Sequence, residues 1–259
     1  MTEQLCAVAI MAKASVAGTV KTRLVPPLTY EEAAELNTCC LRDVASNIVA
    51  AAAWVPIQGF AAYHPPGCER FFDDLLPDGF RLLPPKEPTI GRSLFHAAQD
   101  LFAAGYPSVC LVNADSPTLP TEVLVEAVRL LREPGDRVVL GPAADGGYYL
   151  IGLKRFHRRL FEEIDWSTER VYRQTLVRAG EIGVPVVSLP VWYDVDDDET
   201  LEVLAREMQP DPATAGLYHG GYPAPSTAAF LEQLAAKNGG IDRLFDRESP
   251  PRSPPRFAG

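Results

Sequence analysis

The stretch VCLVNADSP, residues 109–117, decides the fold. Its four apolar residues, 109–112, run directly into polar and turn-forming residues. A short apolar run bounded in this way is typical of a strand buried on both faces of a sheet. Residues 121–132 then show the apolar periodicity of a helix. The stretch therefore predicts a strand, a polar loop at its carboxyl end, and a returning helix.

The same alternation extends in both directions from this stretch. Further strands are predicted at residues 5–11, 57–63, 80–83, 138–140, 148–153, 184–189 and 192–195. Helices are predicted at 29–53, where Thr29 and Glu32 form a capping box, and at 69–75, 93–104, 167–179 and up to about 208. Strands that alternate with helices indicate a Rossmann-like α/β domain with a mostly parallel sheet flanked by helices.

Composition and charge exclude several classes of protein. Of 259 residues, 47% are hydrophobic and 22% are charged, which is typical of a globular chain. The net charge of −10 argues against nucleic acid as a partner. Five cysteines without ligand spacing indicate neither a zinc site nor a disulfide framework, and they favour a reducing cytoplasm. No apolar run is long enough for a membrane span, and we expect no signal peptide.

The composition changes near residue 209. Residues 1–208 are predicted to form the α/β domain, and residues 209–259 a proline-rich extension with one helix at 227–237. Nothing in the sequence indicates the oligomeric state.

The first candidate binding element is the loop that follows the first strand. It is expected to contact phosphates through three cations, a glycine and a hydroxyl, namely Lys13, Gly18, Lys21, Thr22 and Arg23. Its spacing matches neither a Walker A loop nor a dinucleotide fingerprint. A solvated basic loop is the alternative interpretation.

Carboxylates at two places in the sequence could take part in metal binding. Asp115 ends the central strand, where it could hold Mg²⁺ or Mn²⁺ or could form an ordinary Asx turn. In the run DVDDD, residues 194–198, Asp194 and Asp196 share one face of an extended segment, and the carboxylates of the run repel one another unless a cation or capped amides relieve them. Asp197 or Asp198 is expected to cap the next helix.

The stretch ADGGYY, residues 144–149, is the third candidate element. Gly146 and Gly147 would let the backbone approach a substrate, Tyr148 would line that site, and Asp145 is the candidate catalytic base. A plain hairpin turn is the alternative interpretation. Trp166 is a candidate stacking residue at the start of a helix that Ser167 is expected to cap.

These motifs in this order resemble those of bacterial proteins labelled arsenosugar-biosynthesis-type glycosyltransferases. The resemblance rests on MAKASVAGTVKTRL, NADSPTLP, LGPAADGGYYLIGL, DWST and WYDVDDDETL, within about residues 5–205. It implies a single nucleotide-diphospho-sugar transferase (GT-A) domain with a divalent cation. It also implies that Lys13, Lys21 and Arg23 contact donor phosphates and that Asp115 and Asp196 hold the metal. The KTRL element is also similar to one in lactyl-phosphate guanylyltransferases.

Three functions are consistent with the sequence. The leading hypothesis is a metal-dependent glycosyltransferase that uses a nucleotide-sugar donor and a small-molecule acceptor. The second is a nucleotidyltransferase that joins a nucleoside triphosphate to a phosphorylated small molecule and releases pyrophosphate. The third is a non-catalytic nucleotide- or partner-binding protein. Asp115→Ala is expected to abolish metal-dependent nucleotide binding with little loss of folding, as an acid at a strand end lies outside the core.

Overall fold

The computed structural model describes residues 5–86, 89–208, 220–238 and Phe245. Seven strands form one sheet in the order β3-β2-β1-β4-β6-β5-β7. The strands are β1 (Cys6–Lys13), β2 (Ile57–His64), β3 (Arg81–Leu83), β4 (Ser108–Val112), β5 (Val138–Pro142), β6 (Tyr148–Leu153) and β7 (Val186–Ser188).

Seven α-helices are described with this sheet. They are α1 (Tyr30–Ala52), α2 (Glu69–Leu75), α3 (Ile90–Ala103), α4 (Thr121–Arg132), α5 (Val171–Glu181), α6 (Asp198–Glu207) and α7 (Pro225–Asn238). The capping box predicted at Thr29 and Glu32 starts α1, and Asp197 caps α6 with its side chain. No helix in the described part of the chain has the length and apolar character needed to cross a bilayer.

The sheet is mostly parallel, which confirms the predicted fold class. Strands β3, β2, β1 and β4 pair in parallel, as do β5 and β7, whereas β6 runs antiparallel between β4 and β5. The carboxyl ends of the parallel strands lie at one edge. Because β6 runs the other way, the turn that leads into it lies at that same edge.

Apolar residues cover both faces of the sheet. Helices α1, α2, α4, α6 and α7 contribute to the core on one face, and α3 and α5 to the core on the other. Strand β4 is buried along its whole length, as expected of a strand that is covered on both sides.

Helix α7 belongs to the first of these cores. Its buried side chains Phe230, Leu231 and Leu234 pack with α1. The fully buried Asp43 of α1 caps it by accepting hydrogen bonds from the backbone N–H groups of Ser226 (3.0 Å) and Thr227 (2.7 Å). The predicted helix at 227–237 is therefore present, while most of the remaining proline-rich extension lies outside the described residues.

Two local predictions were wrong. Ser167 does not cap α5, which begins at Val171 after Arg170. Ser167 instead has a φ of 62°, in a turn where the Thr168 hydroxyl accepts a hydrogen bond from Arg170 N. Residues 192–195 form no strand, because Trp192 makes one isolated bridge to Ala143 and the chain then turns towards Asp115.

Candidate active site

A cavity of about 640 Å³ opens at the carboxyl edge of the sheet. Residues from the ends of β1, β4 and β6 and from the loops before α5 and α6 line it. Its charged lining residues are Arg23, Asp115, Asp145, Glu169, Asp194 and Asp196. Its aromatic and apolar lining includes Met11, Ile90, Leu94, Tyr148, Tyr149 and Trp166. Motifs as far apart in the sequence as those of Arg23 and Asp196, 173 positions, thus meet at one place.

Lys21 lies beneath this cavity as a buried cation. Its backbone adopts the left-handed conformation, with φ 46°, and only 2% of its side chain is exposed. The ammonium donates hydrogen bonds to Asp115 Oδ1 (2.6 Å) and to the carbonyl of Val195 (2.8 Å). Burial alone would lower the pKa of Lys21, but the charge of Asp115 raises it above its ordinary value. Lys21 therefore holds the Asp115 loop against the segment that carries Asp196.

The other members of the predicted phosphate loop are exposed. Arg23 forms an ion pair with Asp196 (2.6 Å) at the rim of the cavity. Lys13 donates a hydrogen bond to the carbonyl of Thr19 (2.6 Å), and Gly18 has a φ of 77° in the intervening turn. Thr22 begins a short 3-10 helix. Arg23 thus lines the large cavity, whereas Lys13 does not.

Carboxylates crowd the wall of the large cavity. Burial, and then the negative charges of Asp145, Asp196 and Asp115, raise the pKa of Asp194 to about 7. Burial and the charge of Asp115 also raise the pKa of Asp196, although Lys21 and Arg23 oppose that shift. Asp197 is not part of this group, because its carboxylate caps α6 at Thr200. The acidic motif therefore divides between the cavity and a helix cap.

The chemistry of this donor set fits a hard divalent cation. Carboxylate oxygens are the ligands that Mg²⁺ and Mn²⁺ prefer, and the pKa values of Asp194 and Asp196 are raised first by burial and then by neighbouring carboxylates, both of which a bound cation would offset. In the described residues no three or more His, Cys, Asp or Glu side chains are arranged to hold a metal ion. Asp115 and Asp196 could thus supply part of a coordination shell that substrate oxygens complete.

The ADGG turn has a structural role as well as a place in the cavity. Asp145 Oδ1 accepts a hydrogen bond from Gly147 N (2.8 Å). A Cβ on Gly146, whose φ is 91°, would lie 2.3 Å from the carbonyl oxygen of Glu169. Gly146 is therefore required for packing against the loop before α5. Gly147 and Tyr148 line the cavity, as does Asp145.

Trp166 closes one side of the cavity through close packing. Its ring meets Tyr148 edge to face, with centroids 6.5 Å apart. Its indole also lies against Gly91 in the first turn of α3, where an added Cβ would be 2.1 Å from Nε1. A glycine at position 91 is thus what allows Trp166 to occupy this position.

Gly91→Ala is expected to displace Trp166 and weaken binding of any ligand in the large cavity by about tenfold or more, because the indole cannot remain where it is. A shift in tryptophan fluorescence together with ligand titration would measure this. Gly180→Ala is the matched control, since a Cβ there meets nothing within 4 Å and should leave binding unchanged. Equal binding by both variants would contradict this role for Trp166.

A second cavity, of about 280 Å³, lies beside the first and shares Met11 and Ile90 with it. It is bounded by the ends of β1, β2 and β3 and by α3. Its polar lining comprises Lys13, His64, Lys86, Ser93, His96 and Asp100. This cavity was not predicted from the sequence, because the histidines have no mutual spacing. The one available signal was that His64 directly follows the strand predicted at 57–63, at the edge where ligands bind.

Comparisons with known proteins agree with this architecture. A family described as "uncharacterized protein conserved in bacteria" (DUF2064) matches residues 48–168. A protein from Desulfovibrio desulfuricans G20, provisionally named a nucleotide-diphospho-sugar transferase, is 28% identical and has a TM-score of 0.74. That comparison covers 91% of this chain and 96% of the other. No curated protein sequence matches the chain significantly.

More distant solved structures share the fold. CMP:2-keto-3-deoxy-manno-octonic acid synthetase in complex with CTP is 10% identical with a TM-score of 0.52, over 77% of this chain and 96% of that one. The 4-diphosphocytidyl-2C-methyl-D-erythritol synthase from Anaerococcus prevotii DSM 20548 is 11% identical with a TM-score of 0.50, over 77% and 94%. At these identities the likeness concerns the fold alone.

Proposed function

We propose that this protein is a glycosyltransferase that moves a sugar from a nucleotide-diphospho-sugar to a small-molecule acceptor. Similarity to the D. desulfuricans protein over 91% of the chain supports a nucleotide-dependent transferase in general. The two adjoining cavities at the carboxyl edge of the sheet support a substrate with two parts joined by a charged linker.

The observation that carries glycosyl rather than nucleotidyl transfer is the charge balance of the large cavity. Of the described residues that line it, Arg23 alone is cationic, and it is already paired with Asp196. The ammonium of Lys21 is buried against Asp115. If the donor diphosphate takes up Arg23 and a bound cation, an acceptor phosphate deeper in the cavity would face Asp145, Glu169 and Asp194 with no further cation among the described lining residues, and like charges at this range repel strongly. A sugar and an uncharged acceptor avoid that repulsion.

The donor can be placed by matching its parts to the two cavities. The nucleoside would occupy the smaller one, between His64 and His96, where polar rings and apolar walls suit a base. The diphosphate would cross the shared boundary near Ile90, with Lys13 and Arg23 on either side. The sugar would then extend into the large cavity, towards Tyr148 and Trp166, whose ring faces suit the apolar face of a sugar.

The residues of the large cavity supply the chemistry. The acceptor oxygen forms a bond to the anomeric carbon, the bond from that carbon to the phosphate oxygen breaks, and the acceptor proton moves to Asp145 Oδ2. Arg23 neutralises charge on the departing diphosphate. Mg²⁺ or Mn²⁺ held by Asp115 and Asp196 would add Lewis-acid stabilisation of the same charge.

A thermal-shift experiment tests this proposal. Nucleotide-sugars and nucleoside triphosphates would each be added with and without Mg²⁺ or Mn²⁺. At 100 times its dissociation constant, a ligand adds about 2.7 kcal/mol, which should raise the melting temperature by roughly 5–10 °C. A metal-dependent shift with one nucleotide-sugar, followed by transfer of its sugar, is expected. A shift confined to a triphosphate with pyrophosphate release would instead establish nucleotidyl transfer, and binding without turnover would establish a non-catalytic protein.

Arg23→Met is expected to weaken binding of that nucleotide-sugar about tenfold, because a charge-assisted contact to phosphate is lost. Isothermal titration measures the change. Arg70→Met is the matched control, since Arg70 is an exposed arginine that also faces an aspartate, Asp74, but lies on α2. If both variants bound equally, Arg23 would not contact the donor.

A further inference from the structure

The segment that carries Asp194 and Asp196 has two faces. Asp194 and Asp196 line the large cavity, whereas Tyr193 and Val195 are buried on the opposite side, 2% and 0% exposed. This alternation is that of an extended chain. The segment is not a strand of the sheet. Its backbone is attached only locally, by the bridge of Trp192 to Ala143 and by a hydrogen bond from Val195 N to the carbonyl of Asp115 (2.8 Å), so side-chain contacts also help to set the direction of its carboxylates.

Tyr193 makes those contacts with the loop that carries Asp115. The hydroxyl of Thr118 donates a hydrogen bond to the phenol oxygen of Tyr193 (3.1 Å), and the hydroxyl of Ser116 donates to its backbone carbonyl (2.8 Å). Ser116 and Thr118 are each 2% exposed. The two segments are therefore joined on their buried side as well as at Lys21.

The same phenol reaches the carboxyl-terminal part of the chain. It donates a hydrogen bond to the carboxylate of Glu207, at the end of α6. Tyr222 N donates to the carbonyl of Thr118 (2.9 Å). Gly221 packs so closely that an added Cβ would lie 2.6 Å from that carbonyl and 2.7 Å from Glu207 Oε1. The phenol thus connects both acidic segments to Glu207, and residues 221 and 222 pack against the same two partners, Thr118 and Glu207.

We propose that Tyr193 is a positioning residue for the active site. Its phenol helps to fix the Asp115 loop and the Asp194–Asp196 segment at one separation and ties both to Glu207. The importance of this separation for donor binding rests on the proposed function. The carboxylates repel one another, so if their separation were not fixed they would move apart. A cation held by both Asp115 and Asp196 would then lose a contact. Groups that orient metal-binding carboxylates in this way typically change metal affinity by 10–100-fold when they are removed.

Tyr193→Phe tests the proposal, because it removes the hydroxyl and keeps the ring. Hydrogen exchange of the full-length protein is the first measurement and needs no ligand. Amides in residues 115–119, 193–197 and 220–224 are expected to exchange at least tenfold faster, while those of β1 and α3 stay unchanged. Unchanged exchange in both acidic segments would overturn the proposal.

Binding provides the second measurement. Mn²⁺ would be titrated alone and together with UDP, GDP, ADP or CDP. Tyr193→Phe is expected to weaken Mn²⁺ binding about tenfold, measured with the nucleoside diphosphate that the wild type binds most tightly. Equal affinity for the wild type and the variant would overturn the inference. If the wild type bound no diphosphate while exchange still increased, the proposed function would fail and the positioning would stand.

Two further variants separate positioning from general loss of packing. Tyr172→Phe also removes a phenol hydrogen bond, to Ser188 (2.8 Å), but lies outside both cavities and should leave exchange and affinity unchanged. Thr118→Val removes the hydroxyl that binds Tyr193 and should reproduce Tyr193→Phe in a milder form. Thr118→Ser should restore wild-type behaviour, because it keeps that hydroxyl. Failure of the serine variant to restore affinity would contradict the role of the hydrogen bond.

Discussion

Asp115→Ala is expected to lose about 3 kcal/mol of unfolding free energy as well as metal-dependent nucleotide binding. Although 34% of the Asp115 side chain is exposed, its ion-pair partner Lys21 is 2% exposed. Removing one member of such a pair leaves a buried ammonium without its counter-charge, which typically costs 3–5 kcal/mol. Thermal unfolding without ligand measures this loss as a fall of roughly 6–12 °C. The structure thus replaces the sequence-based expectation that folding would be spared.

A double-mutant cycle isolates the reason for this loss. Lys21→Met removes the buried charge and keeps the length of the side chain, so Lys21→Met with Asp115→Ala should be more stable than Asp115→Ala alone. The stability of Asp115→Asn should lie between that of Asp115→Ala and that of the double variant, because asparagine keeps an acceptor for the ammonium. If the double variant lost the sum of the unfolding free energies that the two single variants lose, the unpaired buried charge would not be the cause of the loss in Asp115→Ala.

Asp43→Ala is expected to release α7 from α1. Asp43 is fully buried and accepts two backbone hydrogen bonds at the start of α7, where a carboxylate also interacts favourably with the helix dipole. Losing two such bonds costs about 2–4 kcal/mol. Hydrogen exchange should show faster exchange across residues 225–238, with smaller changes in the sheet.

Glu35→Ala is the control for this prediction, because Glu35 is an acid on the exposed side of the same helix. It should leave both stability and exchange close to those of the wild type. Protection of α7 that persisted in Asp43→Ala would show that apolar contacts of Phe230, Leu231 and Leu234 hold the helix without the cap.

Most of the fold could be predicted because each element carries its own local signal. Strand β4 shows an uninterrupted apolar run, and α1 shows a capping box followed by helical periodicity. The predicted start of α5 was wrong because the local signal there, Ser167, does not determine the structure. Ser167 has the chemistry of a cap, yet the turn it belongs to is set by tertiary contacts of the loop, which no local pattern reveals.

The meeting of Asp115 and Asp145 could also be predicted, because each follows a strand whose carboxyl end lies at the same edge of the sheet, whereas Asp196 follows residues 192–195, which form no strand. The orientation of Lys21 could not be predicted in this way. Its burial depends on Asp115, 94 positions away, and on a left-handed backbone at a residue that rarely adopts it. The contact between Trp166 and Gly91 likewise depends on two loops that are distant in sequence.

The cap that Asp43 places on α7 has a consequence for protein synthesis. The partners of Asp43 are residues 226 and 227, more than 180 positions later, so a nascent chain exposes α1 long before that carboxylate can be satisfied. The contact of Tyr193 with Glu207, and that of residue 222 with the Asp115 loop, likewise form only after those later residues have been synthesised. Chains whose translation stops before about residue 207 would therefore hold the strands of the sheet without the Glu207 contact, and those that stop before about residue 226 would leave Asp43 buried without its hydrogen-bond partners.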